Sequence, residues 1–230
     1  MVDISNLTSV GLTIISILIV ILVFYIIYLF FTKAFQYMGF SSIEAVIIVF
    51  ISFIFGFDII ILGFNISNIY LFSYENWIVS INVGGAVIPI VLSIYLIFKK
   101  KISWKNVLLG IIIVSIIAFI VTNPSPYKGI VASFPYWLLP AFFASIISVI
   151  LSWKNFRKAA PLAYISGTIG VLIGADFLHL PELLNYQIDK SINAIIGGAD
   201  VFDMIFLTGV IAVVLDGFIM FHQRRKEGIN

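Results

Sequence analysis

The chain of 230 residues contains no cysteine. That excludes disulfides, thiolate metal sites and cysteine nucleophiles. Charge is scarce as well, with Asp, Glu, Lys and Arg making up 10% of the residues, under half of the roughly 25% usual in soluble domains. A net charge of +2 offers no polyanion surface, so no nucleic-acid partner is expected. The apolar content excludes a soluble globular enzyme and a disordered tail alike. No Gly-x-Ser-x-Gly elbow and no His-Glu-x-x-His pair occurs, which removes the commonest hydrolase and zinc-peptidase signatures. No metal and no cofactor is expected. The segment Met1–Ser9 carries Asp3 but neither Lys nor Arg, and no small-residue cleavage site follows the first apolar run. A permanent helix is expected there rather than a cleaved signal.

What the sequence does have is apolar length. Residues of the AVILMFWYC set make up 62% of the chain, and the mean hydropathy is +1.17. Runs of about 20 apolar residues, the length that spans a bilayer, fall at about 10–31, 41–62, 78–98, 104–122, 135–152, 160–179 and 200–221. Lipid offers no water to orphan backbone groups, so such runs should be helices. The expected fold is an all-α, seven-helix membrane bundle, a single domain over 1–230. Residues 1–40 would be an anchor helix and 41–222 a six-helix core. The expected setting is the cell membrane, with the lipid bilayer as the first partner.

The basic residues give the orientation. Eleven of the thirteen lie on alternate connections, at Lys33, Lys99, Lys100, Lys101, Lys105, Lys154, Arg157, Lys158, Arg224, Arg225 and Lys226. The other side holds only Lys128 and Lys190. The positive-inside rule then puts the N-terminus outside and the C-terminus inside. The longest connections, about 123–134 and 180–199, fall outside. The first is rich in turn formers, and an amphipathic interfacial helix is expected in the second, between Pro181 and Gly197.

Carboxylates within a membrane are costly and mark function or pairing. The topology places Asp58, Asn82, Asp176, Asp200 and Asp203 in one outer layer and leaves Asp216 toward the inner face. Span three opens with Asn82, Gly84 and Gly85, followed by Pro89. Such a stretch either kinks a helix or bares backbone groups for a ligand. Asn82 is suited to bonding a neighbouring carboxyl or to capping its own helix. In span six, Ser166, Gly170 and Gly174 recur every fourth residue, a small-residue face for close helix packing. Asp200 suits a helix cap, and Asp203 lies one turn deeper. Asp176 and Asp203 sit at matched depth on consecutive spans. Two facing carboxyls share a proton, so that one acts as acid and the other as base. Such a pair hydrolyses peptides, relays protons or binds a cation. Asp176, His179 and Glu182 also have a spacing compatible with metal ligands, although a lone interfacial His more often only hydrogen-bonds.

Three segments carry a resemblance: NVGGAVIPI, PLAYISGTIGVLIGADFLHL and IGGADVFDMIFLTGVIAVVL. Over about residues 41–220 they resemble an archaeal and bacterial integral-membrane family known as a domain of unknown function. The two aspartates, one after a glycine-rich stretch, also resemble the Gly-x-Gly-Asp intramembrane aspartyl proteases: presenilin, signal peptide peptidase and prepilin peptidase. Here the stretch reads Gly197-Gly198-Ala199-Asp200, and neither the Tyr-Asp nor the Pro-Ala-Leu element of those proteases occurs. That resemblance implies catalysis by Asp176 and Asp203 on a membrane-embedded peptide. The alternatives are a transporter or channel binding an ion or small solute around Asp58, Asn82, Asp176 and Asp203, with Gly84, Gly85 and Asp200 as further binding candidates, and a non-catalytic scaffold subunit.

Overall fold

The computed structural model describes residues 4–153, 155–198 and 204–226. Helix α1 (Ile4–Met38) begins the chain. From Val10 to Leu29 its large apolar side chains are exposed, whereas Phe31, Ala34, Phe35 and Met38 are buried. A helix that shows apolar groups on every side suits lipid, and only its last turns use the 3–4 spacing of a packed face. There Phe31 stacks on Phe206 at 5.7 Å and Phe35 lies 6.3 Å from the Tyr164 ring. Helix α2 (Ser42–Gly56) starts on a capping box, in which the Ser41 hydroxyl accepts the Glu44 N–H at 3.2 Å and the Glu44 carboxylate accepts the Ser41 N–H at 2.7 Å.

The chain then leaves helical structure. Strands β1 (Ile60–Ile61) and β2 (Phe64–Asn65) form a small hairpin, followed by β3 (Asn68–Tyr74) and β4 (Trp77–Asn82). A π-helical turn, Val83–Val87, leads into α3 (Ile88–Lys99). Helix α4 (Trp104–Val121) precedes the hairpin of β5 (Thr122–Ser125) and β6 (Gly129–Ala132). Helices α5 (Leu139–Leu151) and α6 (Ala159–Val171) follow. A second π-helical turn, Leu172–Phe177, runs into α7 (Leu178–Leu184). Strand β7 (Ile192–Ile196) and α8 (Met204–Lys226) complete the order. Strand β4 lies between β3, antiparallel, and β7, parallel.

Helix α6 is the centre of the bundle, buried along nearly its whole length and packed against α8, α4, α5 and α3. Its small residues make that possible. Gly170, and Gly174 in the π-helical turn that continues the helix, face α4, where a Cβ on Gly170 would lie 2.6 Å from the Val114 Cβ and one on Gly174 would run into the Ser115 carbonyl oxygen. Gly167 faces α8, with the Gly209 Cα 3.3 Å from where its Cβ would be.

Among the described residues, three helical stretches are long and apolar enough to cross a membrane by length and composition: Val10–Met38, Trp104–Val121 and Phe156–Leu184. Four other apolar helices, Ser42–Gly56, Val83–Lys99, Tyr136–Leu151 and Met204–Ile219, are shorter. The described residues are mostly helical, but the all-α expectation is corrected by the strands. Residues expected to open span three instead form β4. In place of one interfacial helix between Pro181 and Gly197, α7 ends at Leu184 and β7 follows. The reason is physical: isoleucine- and valine-rich strands are as apolar as a helix, so hydropathy does not separate them.

Candidate functional site

Among the described residues, the strand-bearing end of the bundle holds Asp58, Asn82 and Asp176 of the expected polar residues. Asn82 ends β4 and is 2% exposed. Its Oδ1 accepts the Gly85 N–H at 2.8 Å, capping the first π-helical turn, and its Nδ2 donates to Asn68 Oδ1 at 2.8 Å. The Asn68 amide donates in turn to Asp58 Oδ1, which also accepts from Asn65 Nδ2 at 3.0 Å. Asn65 Oδ1 accepts the backbone N–H groups of Ser67 and Asn68 at 3.0 and 2.9 Å, an Asx turn that sets the loop. A hydrogen-bonded relay therefore runs from exposed Asp58 to the buried Gly85 N–H. Asp58 stands beyond the end of α2, so it is a surface carboxylate that ties down a loop. Gly84 is closed against α2, where a Cβ would lie 2.6 Å from the Gly56 nitrogen. Close packing is what this glycine provides.

Asn82→Ala should break the relay at its centre and cost about 1–2 kcal/mol, the range of a lost helix cap. Thermal unfolding and exchange of the Gly85 amide read this directly. Unchanged exchange at Gly85 would mean that the cap does not hold the turn.

Asp176 lies on the second π-helical turn, and its Oδ2 accepts the Gly197 N–H at 3.0 Å. Single π-helical turns recur at functional sites because they rotate side chains off the regular helical face. Gly197 has φ +70°, and a Cβ there would lie 2.5 Å from the Ala86 Cβ and 3.0 Å from the Gly85 carbonyl carbon. Both the left-handed backbone and the close approach require glycine. The two π-helical turns thus meet at Gly197, with Asn82 capping one and Asp176 projecting from the other.

Beside this junction opens a cavity of about 290 Å³, walled by Asp176, Trp77, Lys128, β7 and Gly197–Gly198. The chain before β7 is pinned by the indole of Trp77, which donates to the Tyr186 carbonyl at 3.1 Å, and by Asn76 Nδ2, which donates to the Ile188 carbonyl at 2.7 Å. Asp200 and Asp203 lie outside the described residues. Asp200 follows Gly197 by three positions in the chain.

His179 serves α7. Its Nε2 is 3.0 Å from the Phe119 carbonyl oxygen, its ring stacks on Phe119 at 4.4 Å, and its Nδ1 is 3.5 Å from Glu182. Among the described residues no group of three or more His, Cys, Asp or Glu side chains is arranged to hold a metal ion. Asp216 is fully buried, with the Ser148 hydroxyl donating to its Oδ1 at 3.3 Å.

Sequence reasoning missed Asn65, Asn68, Trp77, Lys128 and Asn193. The Asn65-x-x-Asn68 spacing was the available signal for the first pair. The other three come together at the cavity, whose walls are drawn from separate stretches of the chain around Trp77, Lys128, Asp176 and β7.

These features describe a mostly helical protein with spans fit for a membrane and a cavity bearing a carboxylate where two π-helical turns meet. The chain belongs to the family described as "Protein of unknown function (DUF1614)", whose model matches residues 57–215. That span takes in the relay, the cavity and both π-helical turns, and begins after α2. Comparisons with curated proteins and with solved structures gave no match.

Proposed function

We propose that this protein is a seven-span, multi-pass protein of the cell membrane with an outer-face, aspartate-dependent hydrolase site for amide bonds of membrane-associated peptides. The observation that carries the reading is Asp176 on the wall of an open cavity, with one oxygen engaged by the Gly197 N–H. Asp203 is the proposed second carboxyl. One carboxylate takes a proton from water as the water oxygen attacks the carbonyl carbon. The other acid delivers a proton to the nitrogen as the C–N bond breaks. The products are a carboxylic acid and an amine, and water is the only co-reactant.

The orientation is supported by eleven basic residues on alternate connections and puts the strand-bearing end outside. A reporter fused after Asn230 is expected in the cytosol, and a tag before Met1 outside. Labelling of both termini from one side would remove the odd span count and the outer placement of the cavity.

A second reading, ion or small-solute transport, is favoured by buried Asp216 and by the buried hydroxyls of Tyr164, Thr168 and Thr208 along α6 and α8. Close packing at Gly167 and Gly209 closes that seam, so the one-sided cavity ranks first. The third reading is a scaffold. Protein reconstituted in vesicles, supplied from outside with a fluorogenic peptide library, separates them. Cleavage that depends on Asp176 and Asp203 supports the hydrolase. Ion uptake that depends on Asp216, without cleavage, overturns it in favour of transport, and neither activity leaves the scaffold.

A further inference from the structure

Strand β7 is the edge strand of its sheet, paired on one side only with β4. The Ile192 N–H donates to the Asn76 carbonyl at 3.0 Å. In a parallel ladder, successive residues turn their backbone groups alternately to the two sides. Ile192, Ala194 and Ile196 therefore face β4, and Asn193, Ile195 and Gly197 face away from it. The Gly198 N–H closes back on the Ile195 carbonyl at 3.2 Å. The Asn193 N–H and C=O and the Ile195 N–H have no hydrogen-bond partner among the described residues. Every residue from Ile192 to Gly198 borders the cavity. Side chains alternate between the two faces of a strand, so an unbroken run of lining residues means that the backbone edge itself borders the space.

The next group in that outward series, the Gly197 N–H, is already taken by Asp176 Oδ2. The carboxylate oxygen thus stands where the carbonyl oxygen of a neighbouring strand would be. We infer that the free edge of β7 takes up an extended peptide segment as a fourth strand, whose main chain pairs with Asn193 and Ile195 and runs on to the Asp176 carboxylate. The inference rests on the hydrolase reading, since it names the substrate as a peptide in β-conformation. Addition of a strand to an open edge draws affinity from main-chain hydrogen bonds and leaves side chains to tune selectivity. Exposed Lys128 on the cavity wall is complementary to an acidic side chain on that peptide. The same arrangement explains how an exposed sheet edge persists: it is recessed beside a hairpin rather than presented to other copies of the chain.

The absence of cysteine makes a clean test. Ser191→Cys, at an exposed position just before β7, gives one thiol for disulfide tethering of the peptide Cys-Gly-Gly-Val-Glu-Val-Thr-Val to full-length protein. The background carries Asp176→Asn, which keeps an oxygen to accept the Gly197 N–H and makes cleavage unnecessary for the readout. The tethered peptide should slow amide exchange at Asn193 and Ile195 by about tenfold or more, as an added ladder protects edge amides. Its alternately N-methylated counterpart, with the donors toward β7 blocked, should not. No slowing, or equal slowing by both peptides, overturns the inference. So does protection already present without peptide and lost on dilution, which would assign the edge to a second copy of the chain. Edge protection in a protein that never cleaves peptide would uphold the docking and remove the hydrolase reading. Cleavage without edge protection would do the reverse.

Discussion

Asp176→Asn is expected to leave the fold in place and lower peptide hydrolysis by about 10²–10⁴-fold, the usual contribution of a positioned acid or base. The carboxamide has the same shape, and its oxygen can still accept the Gly197 N–H, so the junction of the two π-helical turns keeps its tie. What it loses is the ability to take up and release a proton. Asp203→Asn should have a similar effect, because neither member of a shared-proton pair works alone. Asp58→Asn is the control: that carboxylate is exposed and bonded to Asn65 and Asn68, and its replacement should leave the rate unchanged. The measurement is single-turnover cleavage by reconstituted protein, with thermal unfolding alongside. Undiminished cleavage by the Asp176 variant would remove it from the chemistry. A rate lost together with the unfolding transition would make the residue structural.

Gly174→Leu is expected to produce the largest loss of stability. A Cβ there runs into the Ser115 carbonyl oxygen and comes within 2.9 Å of the Ala118 Cβ. Backbone cannot swing aside as a side chain can, so the cost should exceed the ~1–3 kcal/mol of ordinary overpacking. Gly170→Leu meets chiefly the side chain of Val114, 2.6 Å from its Cβ position, and should cost less. Gly11→Leu has nothing within 4 Å of its Cβ position and should be near neutral. Thermal unfolding in detergent should therefore rank the three as Gly174, Gly170, Gly11. Because Asp176 is two residues from Gly174, the first variant should also disturb the Gly197 contact and with it the cavity. Equal melting of all three would mean that the α4–α6 contact is not the tight one.

Parts of this architecture were legible in the chain and parts were not. Apolar helices occupy much of the long hydrophobic runs among the described residues, because membrane fitness is a property of local composition and length. The small-residue face of α6 was readable for the same reason: Ser166, Gly170 and Gly174 share a helical stripe wherever the helix packs. That α4 is the partner, through Gly110, Val114 and Ser115, follows only from the folded bundle. Asn82 could be read as a cap or as a partner for a carboxyl of a neighbouring span. The structure gives it the cap, toward Gly85, and its other partner is the Asn68 amide rather than a carboxyl.

The strands were hidden, since Trp77–Asn82 and Ile192–Ile196 are as apolar as the helices around them and their parallel pairing joins segments more than 100 residues apart. The aspartates were visible as residues out of place in an apolar chain. Sequence by itself thus determined a hydrophobic, mostly helical protein with spans fit for a membrane. Only the tertiary structure decided that Asp176 closes on Gly197 at the edge of β7, because that contact depends on a glycine turned to positive φ and on a ladder between distant strands. Neither leaves a local periodicity in the chain.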